Sequence, residues 1–228
     1  MKTKIEEIKF TIVKCVRALS EHHILKIING TDEVAARRAL GIIFKSFYAD
    51  GLWWVAMLRK MHKGATNKRF IQALADNIAC ETGTDGGTAH TQLMEDFAAT
   101  INLEIDTDDP VYMTALKRAE KETSLLTDSS EAKRAGFMYG TEELFSFFLK
   151  LIRPATLRLF PNADMTYIDE HIEVDSNEHA IWMLESVGQI MEINPELFDE
   201  ILSGIKESIT GTMFPFNLVE ENVEYVLF

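Results

Sequence analysis

HIEVDSNEH, residues 171–179, runs straight into AIWML, residues 180–184. The first nine residues hold two histidines and three carboxylates, with Glu170 just ahead of them, and the next five are apolar. Neither part contains proline or glycine, so the whole stretch reads as one helix. At about 100° per residue, with His171 set at zero, Asp175 falls near 40° and His179 near 80°. On the same scale Trp182 falls near about 20° and Ile168 near about 60°. The two histidines and the aspartate therefore share a stripe with apolar residues. Glu170 and Glu173 point elsewhere and read as solvent face. Ionisable groups inside an apolar stripe are costly to bury unless they are paired or bind a metal. A partly wet helix end and a metal site are the two readings of this stretch.

The rest of the chain supplies a helical setting. Only 12 glycines and 5 prolines occur in 228 residues. Apolar residues recur at three- and four-residue steps over residues 4–28, through Ile5, Ile8, Ile12, Val16 and Leu19. Thr31 is placed to cap a helix to about Met61, with Asp32 and Glu33 in its first turn. A third helix spans about Asn67 to Glu81 and stops at GTDGGT. Thr88 caps the next, to about Thr100. Asp109-Pro110 opens one to about Thr123. The capping-box pattern Asp128-Ser129-Ser130-Glu131 opens another to about Arg153. Pro161-Asn162-Ala163-Asp164 starts the helix of the opening stretch, ending near Ile193. Asn194-Pro195 opens the last, which Gly211 closes. The tail MFPFNLVEENVEYVLF reads as an extended strap or a short helix. No strand-period segment, repeat or linker interrupts this series. The expectation is one all-α domain, residues 1–228, a bundle of about seven to eight helices.

Composition narrows the partners. A net charge of −13 disfavours nucleic acid and anionic membrane surfaces. Two cysteines, Cys15 and Cys80, make no disulfide framework and fit a reducing compartment. The start, MKTKIEEIKF, places Glu6 and Glu7 where a signal peptide needs an apolar run. LWWVAML, residues 52–58, falls far short of the ~20 residues that a membrane span needs. The expected location is the cytoplasm.

Two further places pair carboxylates or imidazoles with apolar surroundings. Glu81 ends one helix and His90 begins the next, across a short glycine-rich connection that lets both approach one point. Asn77 and Ala79 nearby fit a polar-tolerant interior. In AGFMYGTEELFSFFLKLI, residues 135–152, Glu142 lies in line with Met138, Phe145, Leu149 and Ile152. A carboxylate in that stripe needs a partner. Glu143 lies in line with Tyr139, Phe147 and Lys150, which gives it an exit to solvent, so Glu142 is the better ligand. The set is then Glu81, His90, Glu142, His171, Asp175 and His179. Mixed imidazole and carboxylate ligands suit iron or manganese better than a structural zinc, and six are enough for two metals in a helical bundle. His22, His23 and His62 lack such company and read as surface or ordinary packing.

In the order Glu81, HTQLMEDF from His90, Glu142 and HIEVD from His171, the sequence resembles the haem-oxygenase-like di-iron oxidases. This group includes the CADD-like proteins, and it resembles the thiaminase TenA in fold. The resemblance spans roughly residues 10–210. The family's third motif is His-x3-Asp-x2-His, which would put the last ligand at Glu178, near about −20° on the helix. His179 comes one residue later, and local unwinding or a π-bulge would bring it in. Both residues stand as candidates, His179 being preferred on ligand type.

The resemblance implies two Fe(II) ions, O2 as co-substrate, and oxidation of a small amino acid, amine or fatty acid. Within the family the chain looks most like a small cyanobacterial branch with a nitrile-forming enzyme acting on a brominated tryptophan. That branch implies an amino-acid substrate in an aromatic pocket. Phe145 and Trp182 are the expected substrate contacts, with Phe47, Trp53, Trp54 and Phe148 as further walls, although each also fits a plain core. The resemblance implies, too, a second iron held less tightly, and it allows a homodimer. Two other readings compete. One is a metal-free TenA-like hydrolase, for which Cys80 beside Glu81 is the candidate nucleophile. The other is a non-catalytic helical interaction protein. Neither requires iron.

Overall fold

The computed structural model describes residues 2–222, without the side chains of Lys2 and Ser176. Its helices are α1 (Lys2–Ser20), α2 (Ile24–Ile28), α3 (Glu33–Lys63), α4 (Lys68–Thr82), α5 (His90–Thr100), α6 (Pro110–Thr127), α7 (Glu131–Leu159), α8 (Thr166–Val174), α9 (Ala180–Ile193) and α10 (Phe198–Glu221). A π turn, Asp175–His179, joins α8 to α9 without a break. With those two joined and the five-residue α2 set aside, eight long helices remain among the described residues. No strand occurs among them. The fold is all-α, as the periodicity requires.

The middle of the bundle is α7, the helix of AGFMYGTEELFSFFLKLI. It packs against α10, α9, α8, α1, α2, α3 and α6. Its buried residues lie on every side, including Phe137, Met138, Leu144, Phe148 and Ile152. A helix that is apolar all round belongs in a core. Its closest partner is α10. A Cβ on Gly136 would lie 2.1 Å from Ile201 O, and one on Gly204 would lie 2.0 Å from Lys133 O. Only glycine lets these two backbones meet so closely.

Several expected boundaries shift. Residues 4–28 form two helices, because the chain turns at His22 and His23, where Ile24 N–H donates to His22 Nδ1 at 3.3 Å. Asp32, not Thr31, caps α3, accepting from Val34 and Ala35 N–H. Ala89, not Thr88, precedes α5, with no side-chain cap. Ser130 caps α7, but Glu131 forms no capping box. Its carboxylate instead accepts from Thr66 and Asn67 N–H, which ties the α3–α4 turn to α7. Both α7 and α10 run through internal prolines, Pro154 and Pro215, and α10 continues past Gly211. Proline weakens a helix locally. Here the flanking residues Ala155, Thr156, Leu159, Phe216 and Val219 are buried, and their packing carries the helix on. The first part of the tail is thus helical to Glu221, and residues 223–228 lie outside the described residues.

Candidate metal centre

Four helices and the π turn bring six side chains inward. Asn77 and Glu81 lie four apart on α4, one above the other. At the end of α4, Gly83 takes a left-handed conformation, φ 68°. A Cβ there would lie 2.8 Å from both Ala89 N and Gly87 O, so the GTDGG turn closes tightly on itself. That turn returns His90, the first residue of α5, to Glu81: His90 Nδ1 is 3.2 Å from Glu81 Oε2. His171 of α8 stands beside His90, ring centroids 4.3 Å apart. Glu142 comes from α7, and Asp175 and His179 from the two ends of the π turn. His179 Nδ1 lies 3.3 Å from Asp175 Oδ1 and 3.5 Å from Glu142 Oε2.

The result is two buried triads, Glu81/His90/His171 and Glu142/Asp175/His179. Within each, one ligand atom per residue lies within 4.8 Å of the others. His90 Nδ1 and both ring nitrogens of His179 are buried without a partner in hydrogen-bond geometry. Carboxylates stand near these nitrogens, but the groups do not aim at each other. Atoms that converge on a common point are what a metal ion requires, and all six are of the types that suit iron or manganese.

The π turn decides the last residue. Ala180 N–H bonds to Asp175 O, a step of five, so the turn is wider than an α-turn. That extra width swings His179 inward, fully buried, while Glu178 is exposed. Asparagine and tyrosine complete the surroundings in roles that the sequence did not reveal. Asn77 Nδ2 donates to Glu142 Oε1 at 2.7 Å. His171 Nδ1 donates to the Tyr167 carbonyl at 2.8 Å, which leaves its Nε2 lone pair for the site. The spacings Asn77-x3-Glu81 and Tyr167-x3-His171 are the signal that could have found both. Glu170, read above as solvent face, is half-buried and lies 3.8 Å from His90 Nε2.

Burial and mutual charge govern the protons here. Burial pulls the His171 imidazole down to about 4, with His90 adding to the effect. Burial also works against protonating His90, but Cys80 and Glu81 outweigh it and push that imidazole up to about 10. For Asp175, burial outweighs the pull of the nearby His179 imidazole and pushes the carboxyl up to about 8. Burial opposes ionising Glu81, yet His90 and the other imidazoles hold its carboxyl below the usual value. Cys80 Sγ sits 3.5 Å from His90 Nε2.

A cavity of ≈ 150 Å³ opens onto Glu81, His90, Glu142, His171 and Asp175. Phe47, Trp53, Trp54, Phe145 and Phe148, each of which the sequence left between cavity wall and plain core, line it. Phe145 stands edge-on to His171 at 5.5 Å. Trp182 is not among the lining residues; it packs on His179, centroids 5.3 Å apart. Thr141 Oγ1 also lines the cavity and is buried without a partner. A third cluster, His22, His23 and Glu220, lies toward the surface, with Glu220 Oε1 3.4 and 3.2 Å from the two imidazoles. His22 Nδ1 accepts from Ile24 N–H, so a neutral ring carries its proton on the nitrogen that faces Glu220. That geometry turns the ring N–H of His22, not a lone pair, toward Glu220, which does not suit a metal ligand.

Fold and site together define a helical bundle built around a buried carboxylate–imidazole centre. The sequence model of a family described as an iron-containing redox enzyme matches residues 43–212, and the chain belongs to that family. Two crystal structures of a CADD-like protein of unknown function from Nostoc punctiforme PCC 73102 share the haem-oxygenase-like fold. The 2.00 Å structure superposes with a TM-score of 0.70 at 20% identity, over 95% of this chain and 98% of that one. The 1.35 Å structure gives 0.69 at 18% identity, over 98% and 99%. None of the curated proteins compared with this sequence matches it.

Proposed function

We propose that the chain is a di-iron oxidase that uses O2 to oxidise a small amine or amino acid. The observation that carries this reading is the pair of buried triads, with imidazole nitrogens left unpaired at their centres. Glu81, His90 and His171 would hold one iron, and Glu142, Asp175 and His179 the other. Bound iron would supply the electrons and open coordination positions that O2 reduction needs. The chain's own part is to fix the ligands and exclude water. Tyr167 O sets the tautomer of His171, and Asn77 fixes Glu142. Phe47, Phe145 and Phe148 make the cavity wall apolar beside the ligands. An amino acid with an aromatic side chain suits such walls, and its conversion to a nitrile is the most specific outcome that we propose.

Anaerobic Fe(II) titration, followed by O2 uptake with a panel of amines and amino acids including tryptophan, tests this. The expected result is about two irons per chain and uptake that depends on one member of the panel. Iron no higher than background, with His171→Ala indistinguishable from the parent, would overturn the reading.

A further inference from the structure

Asp50, Arg118 and Glu122 line the same cavity as the ligand residues but come from other helices. Asp50 stands on α3, one turn after Phe47 and one turn before Trp53 and Trp54, so these residues share a face. Arg118 and Glu122 stand four apart on α6. Arg118 Nη2 donates to Glu122 Oε2 at 2.5 Å, and its guanidinium lies over the Phe214 ring at 4.6 Å. Its contact with Asp50 is slack, with Nη1 3.5 Å from both carboxylate oxygens. Glu122 therefore holds the arginine, and Asp50 is only half answered.

Asp50 is a carboxylate set for a cation. Its side chain is 35% accessible and lines the cavity, so it is open to a ligand held there. Burial pushes its carboxyl up to about 7 despite the pull of Arg118, and burial raises Glu122 as well. Apart from the metal-ligand candidates, three carboxylates (Asp50, Glu95 and Glu122) line the cavity against one guanidinium, Arg118. When these carboxylates are ionised the excess is negative, which repels an anionic ligand and draws in a cation.

The geometry points to Asp50, backed by Glu122, as the recognition group for the ammonium of a ligand held against the aromatic face of α3. The inference rests on the reading of this cavity as the substrate site. Asp50 would accept a charge-assisted hydrogen bond from the ammonium. Tyr48, Trp53 and Trp54 also line the cavity and would offer ring faces to the same cation. Arg118 positions the two carboxylates and keeps them from crowding each other.

The test is calorimetric titration of the iron-free protein with 2-phenylethylamine, 2-phenylethanol and 3-phenylpropionate. The amine is expected to bind at least about tenfold more tightly than the alcohol, and the carboxylate most weakly. Asp50→Asn, which keeps the side chain's shape, should bring the amine to the level of the alcohol. Glu122→Gln should narrow the gap in part. Equal binding of amine and alcohol by the parent, no binding of the amine, or a preference that survives in both variants would overturn the assignment. The parent's ranking needs no variant, so it stands even if a variant fails to fold. None of these titrations involves iron. Iron counted separately on Asp50→Asn should match the parent, so failure of the di-iron reading and failure of the ammonium subsite give different results.

Discussion

At the residue scale, the centre depends on groups that do not themselves face a metal. Asn77 is the plainest case: its Nδ2 holds one oxygen of Glu142 and leaves the other toward His179. Asn77→Ala frees Glu142 to rotate. The expected loss in metal affinity is about 10- to 100-fold, read by competition with a chromophoric chelator. Unchanged affinity would show that α7 packing alone fixes the carboxylate. Protons set a second expectation. A metal needs neutral imidazoles and ionised carboxylates. His171, lowered to about 4, is already neutral near pH 7, but His90, raised to about 10, is protonated and must give up that proton. Asp175, raised to about 8, must give up another. Fe(II) binding near neutrality should therefore release protons, and affinity should fall as pH is lowered, by up to about tenfold per pH unit for each proton released. Calorimetry in two buffers of different ionisation enthalpy counts those protons. An affinity that is flat between about pH 6 and 8 would contradict the assignment.

At the scale of elements, the π turn is the feature with the most direct consequence. It leaves His179, four steps after Asp175, buried at the centre and Glu178, three steps after it, exposed. Asn177 lies inside the turn and is exposed. Its deletion should close the turn to an ordinary α-turn and put the histidine three residues after Asp175, near about −60° from it. That is still the inner face, and Met183, Val187 and Ile190 of α9 keep their register toward the core. Iron content and Tm are therefore expected to stay close to the parent values. Loss of half the iron would show instead that the wide turn itself sets the ligand geometry. The same reasoning explains why the centre sits where it does. α7 runs through the core with the α8–α9 helix against it, α4 packs on α9 and α5 on α8, and Asn77 of α4 reaches Glu142 of α7.

At the scale of the whole molecule, the centre is a cost until it is filled. Glu81, His90, Glu142, His171, Asp175 and His179 are all buried, and ionisable groups taken from water without full partners destabilise a fold. Iron should return that cost as binding-linked stability. At a free metal concentration of about 100 times Kd, each site adds about 2.7 kcal/mol. For a chain of this size, each kcal/mol corresponds to about 2–4 °C. A rise in Tm of about 5–10 °C per site is expected on anaerobic addition of Fe(II), reversed by a chelator. Differential scanning fluorimetry reads it directly, and a Tm indifferent to metal would leave the buried groups unexplained. The chain's −13 charge resides largely outside this centre, on exposed acidic residues such as Glu33, Glu173 and Glu178. No helix among the described residues is long and apolar enough to cross a membrane.

The sequence alone determined the helical class, several helix starts and five of the six residues that meet at the centre. These are local properties: an apolar period, an Asp-Pro or Asn cap, and a carboxylate stranded in an apolar stripe each declare themselves within one or two turns. Residues far apart in sequence are different, because what brings them together is the packing of whole helices. Thus Asn77 on Glu142, the Gly136–Gly204 approach, and Asp50 facing Arg118 and Glu122 were decided only by the tertiary structure. So was the persistence of α7 and α10 through Pro154 and Pro215, where burial overrides a local break. Glu178 and His179 show the boundary between the two. Their spacing left both on offer, and the choice fell to a turn whose width is set by the fit of α8 and α9 against α7 and α4.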